Sequence, residues 1–122
     1  MLRWVTPVTQ FRRTATRDTH LGGQHIAAGE KVVVYYASAN RDAAAFDRPD
    51  VFDIARTPND HLTFGVGPHF CLGAGLARLQ MSALFGQVLD HLEDVEPAGD
   101  VVRLRSNFQN GLKRLPISYR FR

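Results

Sequence analysis

Cys71, the single cysteine of this 122-residue chain, stands in the stretch HLTFGVGPHFCLGAGLARLQ, residues 61–80. His69 lies two positions before it, glycines stand at 65, 67, 73 and 75, and an apolar pattern with helical spacing follows. A thiol in this setting suits several kinds of chemistry. It can be a small buried hydrophobe. As a zinc ligand it would want three partners, usually in paired spacings such as C-x-x-C, and no second cysteine exists. As a nucleophile it would want a histidine base, for which His61 and His69 are the candidates. The glycines do not spell a phosphate cradle. No Gly-Lys-Ser/Thr follows them, and the dinucleotide fingerprint needs a glycine at position 70, where Phe70 stands.

The remaining chemistry is thiolate ligation of haem iron, and its demands can be matched one by one. The sulfur must be ionised, which favours the start of a helix, where free N–H groups and the helix dipole attract negative charge. Those N–H groups also tune the iron. A flat macrocycle against the chain requires residues without side chains. An aromatic must shield the sulfur, and a polar side chain must reach a propionate. Phe64, Gly65, Gly67, His69, Cys71 and Gly73 supply these features within ten residues.

The elements that must position this loop are short. Residues 1–6 read as a helix end stopped by Pro7. Phe11 to Arg17 suits a strand, and DTHLGGQHIAAGEKVVVYYAS reads as strand, Gly-Gly turn, strand, AAGE turn, strand. The run Val32-Val33-Val34-Tyr35-Tyr36 predicts burial on both faces. The segment ANRDAAAFDRPDVFDIARTPNDH predicts a long ordered loop, with a helical turn near Ala43–Ala45 and burial of Phe46, Val51, Phe52 and Ile54. Leu72, Leu76, Leu79, Ala83, Val88 and Leu92 predict a helix ending between His91 and Asp94. Val101–Arg105 and Leu115–Phe121 alternate like edge strands joined through SNFQNGLKR.

Composition bounds the remaining possibilities. The formal net charge is +3, and every basic residue except Lys31 and Lys113 is arginine. No basic run is longer than Arg12-Arg13, so a nucleic-acid surface is not indicated. A lone cysteine forms no internal disulfide and points to a reducing cytoplasm. No stretch reaches the length of a membrane span, and the N-terminus carries no signal-peptide pattern.

FGVGPHFCLG, residues 64–73, resembles the haem-binding signature of the cytochrome P-450 superfamily, the haem-thiolate monooxygenases, in a soluble bacterial form. The similarity runs through the chain. Residues 11–42 resemble the β-region after the K helix, FDRPDVFDIAR the meander, and LGAGLARLQMSALFGQVL the L helix. The implied fold class is α+β, the C-terminal part of the mainly-α cytochrome P-450 fold: end of the K helix, short β-strands, meander loop, Cys-ligand loop, L helix and C-terminal β-hairpin. Residues 1–122 would then be the haem-ligand region of a single domain whose N-terminal two-thirds is absent, beginning at an internal methionine of the K helix.

The resemblance implies roles residue by residue. Cys71 is the proximal ligand of haem b, and Phe64 packs beside its loop with Gly65, Gly67 and Gly73. His69 and Arg13 reach haem propionates. Arg3 matches the arginine of the K-helix Glu-x-x-Arg pair, and Arg56 is the meander arginine of the same ion network; the glutamate would precede Met1. Val5, Val8, Phe108 and Leu112 contact substrate. The implied reaction inserts one oxygen atom of O2 into an apolar substrate of terpene, fatty acyl or steroid class, with electrons from an acidic ferredoxin docking near Arg78. The alternative is a truncated, non-enzymatic remnant that does not bind haem. Alone, the chain is expected to bind haem weakly and to lack coupled activity.

Overall fold

A computed structural model describes residues 1–122. The chain forms two compact units, Met1–Thr63 with Ser106–Asn110, and Phe64–Arg105 with Gly111–Arg122. Both are small assemblies of helix and antiparallel strand, in agreement with the α+β expectation.

The first unit starts with helix α1, Leu2–Val5. It ends where expected: Thr6 leaves the helix in the left-handed region at φ 44°, and Pro7 cannot continue it. Strand β1, Gln10–Thr14, pairs antiparallel with β4, Lys31–Tyr35, setting Gln10 opposite Tyr35 and Thr14 opposite Lys31. Between them β2, Thr19–Leu21, and β3, Gln24–Ile26, form a hairpin. Its turn is Gly22-Gly23, with φ 56° and 81°. Two successive positive φ angles match the strand twist of a two-residue hairpin, and only glycine adopts both freely.

Two expectations for this unit are corrected. The apolar run of β4 is not buried on both faces: Val33, Val34 and Tyr35 are exposed. The ribbon has two strands, so β4 is paired along one edge only. Tyr36 is buried, but as the first residue of helix α2, Tyr36–Ala39. The helical turn expected near Ala43–Ala45 is present as a single turn, the Asp42 carbonyl accepting from Ala45 N at 3.0 Å and from Phe46 N at 2.9 Å. The Asp42 carboxylate caps this turn, accepting from Ala44 N at 2.8 Å. In the following loop Phe46 is buried, whereas Val51, Phe52 and Ile54 are exposed.

The centre of the first unit is polar. Arg3, Thr6, Asn40 and Thr63 are all buried, and Asn40 has no exposed surface. Asn40 Nδ2 donates to Thr6 Oγ1 at 2.9 Å and to Thr63 Oγ1 at 3.0 Å. Its Oδ1 accepts from Leu62 N at 2.8 Å. Thr63 Oγ1 in turn donates to the Leu2 carbonyl at 3.1 Å. A buried amide is tolerated because its donors and its acceptor are satisfied.

The second unit is built on α3, Ala74–His91, as the periodicity predicts. The helix runs straight into β5, Leu92–Pro97, which pairs antiparallel with β8, Ile117–Phe121. Strand β6, Val102–Arg103, pairs with β7, Leu112–Arg114. The two predicted edge strands therefore do not face each other; one finds β7 and the other β5. The sequence of β5, LEDVEP, is poor in strand formers. It is tied by charge instead: Arg120 bonds Glu93 Oε1 at 3.2 Å and Asp94 Oδ2 through its Nε at 2.6 Å. Asp94 has φ 52°, inside the register shift between Glu93 and Glu96. The leucines of α3 point to several sides of the helix and are uncovered, Leu76, Leu79, Leu84 and Leu89 each being at least 60% exposed. Full burial of a leucine contributes about 1.5–3 kcal/mol, a contribution this helix does not collect here.

Replacing Asn40 by Ala is expected to destabilise the protein by about 2–4 kcal/mol, since it strands the hydroxyls of Thr6 and Thr63 and the N–H of Leu62. Ser38→Ala, nearby but exposed, is expected to shift stability by less than about 0.5 kcal/mol. Denaturant unfolding of the two variants in the full-length protein checks the difference.

Candidate functional site

The Cys71 loop closes on itself. Val66 is extended, and a 3-10 turn follows over Gly67–His69 with Pro68 at its start. Phe70 N donates to the Gly67 carbonyl at 2.9 Å, and Cys71 N to the Phe64 carbonyl at 2.8 Å. Gly65 and Gly67 have φ 73° and 71°, left-handed values that cost other residues about 1–2 kcal/mol. At Gly67 a Cβ would meet no atom within 4 Å, so backbone shape alone requires glycine there.

Cys71 leads directly into α3. Its carbonyl accepts from Ala74 N at 3.2 Å, and the Gly73 carbonyl accepts from Ala77 N at 2.8 Å. Gly73 is the N-cap residue, and no side chain caps the helix. A Cβ on Gly73 would lie 3.8 Å from Cys71 Sγ, so glycine leaves the sulfur's flank clear. The thiol is exposed, which removes the reading of Cys71 as a buried structural hydrophobe.

Phe64 is gripped by two neighbours. Phe70 meets its ring edge-on at a centroid distance of 6.3 Å. The Arg78 guanidinium lies over its ring, 4.7 Å from the centroid, held by the attraction of a cation for an aromatic face. The helix position of Arg78 thus serves the loop as well as the surface. His69 is exposed. His61 Nδ1 accepts from Thr63 N at 3.3 Å in the first unit.

Arg3 is buried although it is a cation. Nη1 donates to the carbonyls of Asn40 at 2.6 Å and Pro49 at 2.9 Å, and Nη2 to that of Val51 at 3.4 Å. Its guanidinium lies over the Phe46 ring, 4.9 Å from the centroid. Burial lowers its pKa, the charges of Arg56 and Arg41 lower it further, and Asp50 opposes them. Arg56 donates to the carbonyls of Asp47 at 2.6 Å and Arg48 at 3.0 Å, leaving its buried Nε without a partner. The two guanidinium groups are close enough to repel, and no carboxylate forms an ion pair with either. Arg13 stands exposed on β1, its Nη1 on the Arg12 carbonyl at 3.1 Å and its guanidinium 5.7 Å from the Phe11 ring centre.

Three of the residues read as substrate contacts lie in the first unit, on segments that meet there. Val8 bridges Gln109, Thr9 N donates to the Phe108 carbonyl at 2.9 Å, and Asn110 Nδ2 donates to the Val5 carbonyl at 2.6 Å. Phe108 packs edge-on against Phe11 at 5.4 Å. Val5 and Phe108 remain exposed, as does Leu112 on β7 of the second unit. Asn40 and Thr63 were invisible as site-supporting residues in the sequence. An asparagine after YYASA signals nothing until its partners at 6, 62 and 63 are known.

The donor set speaks to the kind of metal group these residues suit. No cluster of three or more histidine, cysteine, aspartate or glutamate side chains is assembled to hold a bare ion. Cys71 offers one soft sulfur, open on its glycine side. Such a site fits an iron that brings its other ligands in a flat macrocycle, as haem does. It does not fit structural zinc.

No helix is long and apolar enough to cross a membrane. The family model described as Cytochrome P450 matches residues 1–121. The chain is 50% identical over 121 residues to a steroid C26-monooxygenase of Rhodococcus jostii, covering 98% of this chain and 26% of that protein. It is 46% identical over 118 residues to cytochrome P450-terp of a Pseudomonas species, covering 97% of this chain and 28% of that protein. Among solved structures it resembles a Mycobacterium marinum cytochrome P450 in complex with pseudoionone, with TM-score 0.91 and 51% identity over 96% of this chain and 28% of that one. It also resembles a thermophilic cytochrome P450 from Sulfolobus tokodaii, with TM-score 0.95 and 36% identity over 99% of this chain and 33% of that one. The chain thus spans between a quarter and a third of the length of these relatives. With that family model matching residues 1–121 and these relatives aligned along nearly all of it, the chain belongs to the cytochrome P450 family.

Proposed function

We propose that this chain supplies the proximal haem-ligand region of a haem-thiolate monooxygenase. The observation that carries the reading is the Cys71 loop: a single exposed sulfur, clear on its Gly73 side, at the uncapped start of an 18-residue helix. Cys71 Sγ would hold the iron of haem b. Haem, when bound, supplies oxygen activation and the insertion of one oxygen atom into a C–H or C=C bond. The chain's own residues set the conditions. The start of α3 favours a negative sulfur. Phe64, held by Phe70 and Arg78, is assigned to shield the sulfur. Gly65 and Gly67 keep side chains off the macrocycle face. His69 and Arg13 are assigned to the propionates.

Arg3 and Arg56 form the structural ion network. Two adjacent guanidinium groups with an unsatisfied Nε between carbonyl contacts want one shared carboxylate. Val5, Val8, Phe108 and Leu112 are assigned to an apolar wall, and relatives named for steroid and terpene chemistry support a substrate of that class. The electron donor is assigned as an acidic ferredoxin meeting the exposed Arg78 side of α3. A chain that binds no haem is the competing reading, favoured by the scarcity of buried apolar side chains, which are Tyr36, Phe46 and Ala74.

Replacing Cys71 by Ser in the full-length protein is expected to abolish the thiolate-type Soret band of the reduced carbon-monoxide complex. A parent protein without that band would favour the haem-free reading. Gly67→Ala is expected to lower stability by about 1–2 kcal/mol, through backbone strain alone. Its denaturant midpoint should fall without a change in slope. The rate of reduction by an acidic ferredoxin is expected to fall as salt rises, and to fall less steeply in Arg78→Ala, as read by stopped-flow spectroscopy.

A further inference from the structure

We propose that the β2–β3 hairpin carries a surface bis-histidine site, His20 and His25, for one divalent transition ion of the nickel, copper or zinc type. The two histidines stand directly opposite each other in the hairpin register. The loop has two residues, so Leu21 and Gln24 form the hydrogen-bonded pair beside the turn and His20 and His25 the next, wide pair. Side chains approach each other most closely at such pairs. Both side chains are exposed and project from the same face.

Their spacing suits chelation. The ring centroids are 5.1 Å apart at an interplanar angle of 66°. An ion about 2.0 Å from a ring nitrogen lies about 3.2 Å from that ring's centre, so two ligating rings at a tetrahedral angle have centres about 5.2 Å apart. The observed separation already matches, and the pair need only turn about its side-chain bonds. The Gly22-Gly23 turn fixes the register, so little backbone freedom is lost on binding.

A carboxylate stands behind the pair. Asp18 Oδ1 is held by Ala28 N at 2.8 Å, and Oδ2 lies 3.9 Å from His25 Nε2. Histidines that bind metal characteristically present their second ring nitrogen to a carboxylate. Asp18 Oδ2, 3.9 Å away, would have to close by about 1 Å as the ring turns to take that role, outside the ion's own shell. Water completes the coordination, and imidazole favours Cu2+, Ni2+ and Zn2+ over Mg2+ or Ca2+. The site lies on its own hairpin and involves none of the residues assigned to haem.

The test is calorimetric titration of Ni2+ alone into the full-length protein and into a variant carrying His20→Gln and His25→Gln together. The parent should take up one more equivalent than the double variant. Either single change should weaken that equivalent at least tenfold, and Asp18→Asn should weaken it severalfold without altering the count. Electron paramagnetic resonance with one equivalent of Cu2+ should show two nitrogen ligands in the parent that the double variant lacks. Equal uptake and affinity in parent and double variant would overturn the site, as would single variants that bind undiminished. Unchanged affinity in Asp18→Asn would overturn the role of the carboxylate. Metal-free thermal unfolding establishes that the variants are folded, and His25→Gln alone decides the question if the double variant is not.

Discussion

The first unit is organised around one buried amide. Asn40 carries no exposed surface, and its side chain is shared between the end of α1, through Thr6, and the chain at Leu62 and Thr63. Hydrophobic burial does little in this unit, where Tyr36 and Phe46 are the only apolar side chains inside. Position is therefore specified by directional bonds, which demand one geometry, and not by apolar contact, which tolerates several. Arg3 belongs to the same centre, donating to the Asn40 carbonyl and spreading its charge over the carbonyls of Pro49 and Val51. Thr63, the last residue of this network, is followed at once by Phe64 and the Cys71 loop.

That loop is held by backbone shape. Two left-handed glycines, a 3-10 turn and the bond from Cys71 N to the Phe64 carbonyl bring the chain round to the start of α3 with the sulfur facing outward. Phe64 joins the bend to the helix through the Arg78 guanidinium, so one turn of α3 both follows Cys71 and steadies a residue that precedes it. The chemistry assigned to Cys71 needs this rigidity, because a flexible thiol would be as free to oxidise as to bind iron.

Much of this was legible in the sequence. The glycine spacing around Cys71, the periodicity of α3, the Gly-Gly hairpin and the proline after α1 each act over a few residues, and each gives the expected element. The misses share a cause. The run at Val32–Tyr36 asks for cover on both faces of a strand, and in a two-stranded ribbon Val33, Val34 and Tyr35 stay exposed. LEDVEP forms β5 through the cross-strand charge of Arg120, twenty-six residues from Asp94, against its local propensity. Asn40 is silent until residues 6, 62 and 63 surround it. The leucines of α3 stand exposed on several sides of the helix, in a chain spanning 26–29% of its curated relatives. Local rules were readable; pairings set by distant residues were not.

The account turns on sulfur from this one residue reaching iron. Its most direct measurement is X-ray absorption at the iron edge of the haem-loaded full-length protein, with every cysteine outside residues 1–122 replaced by serine. A sulfur scatterer in the first shell of the iron is predicted. A first shell of nitrogen and oxygen alone, in protein that retains its haem, would contradict the assignment of Cys71.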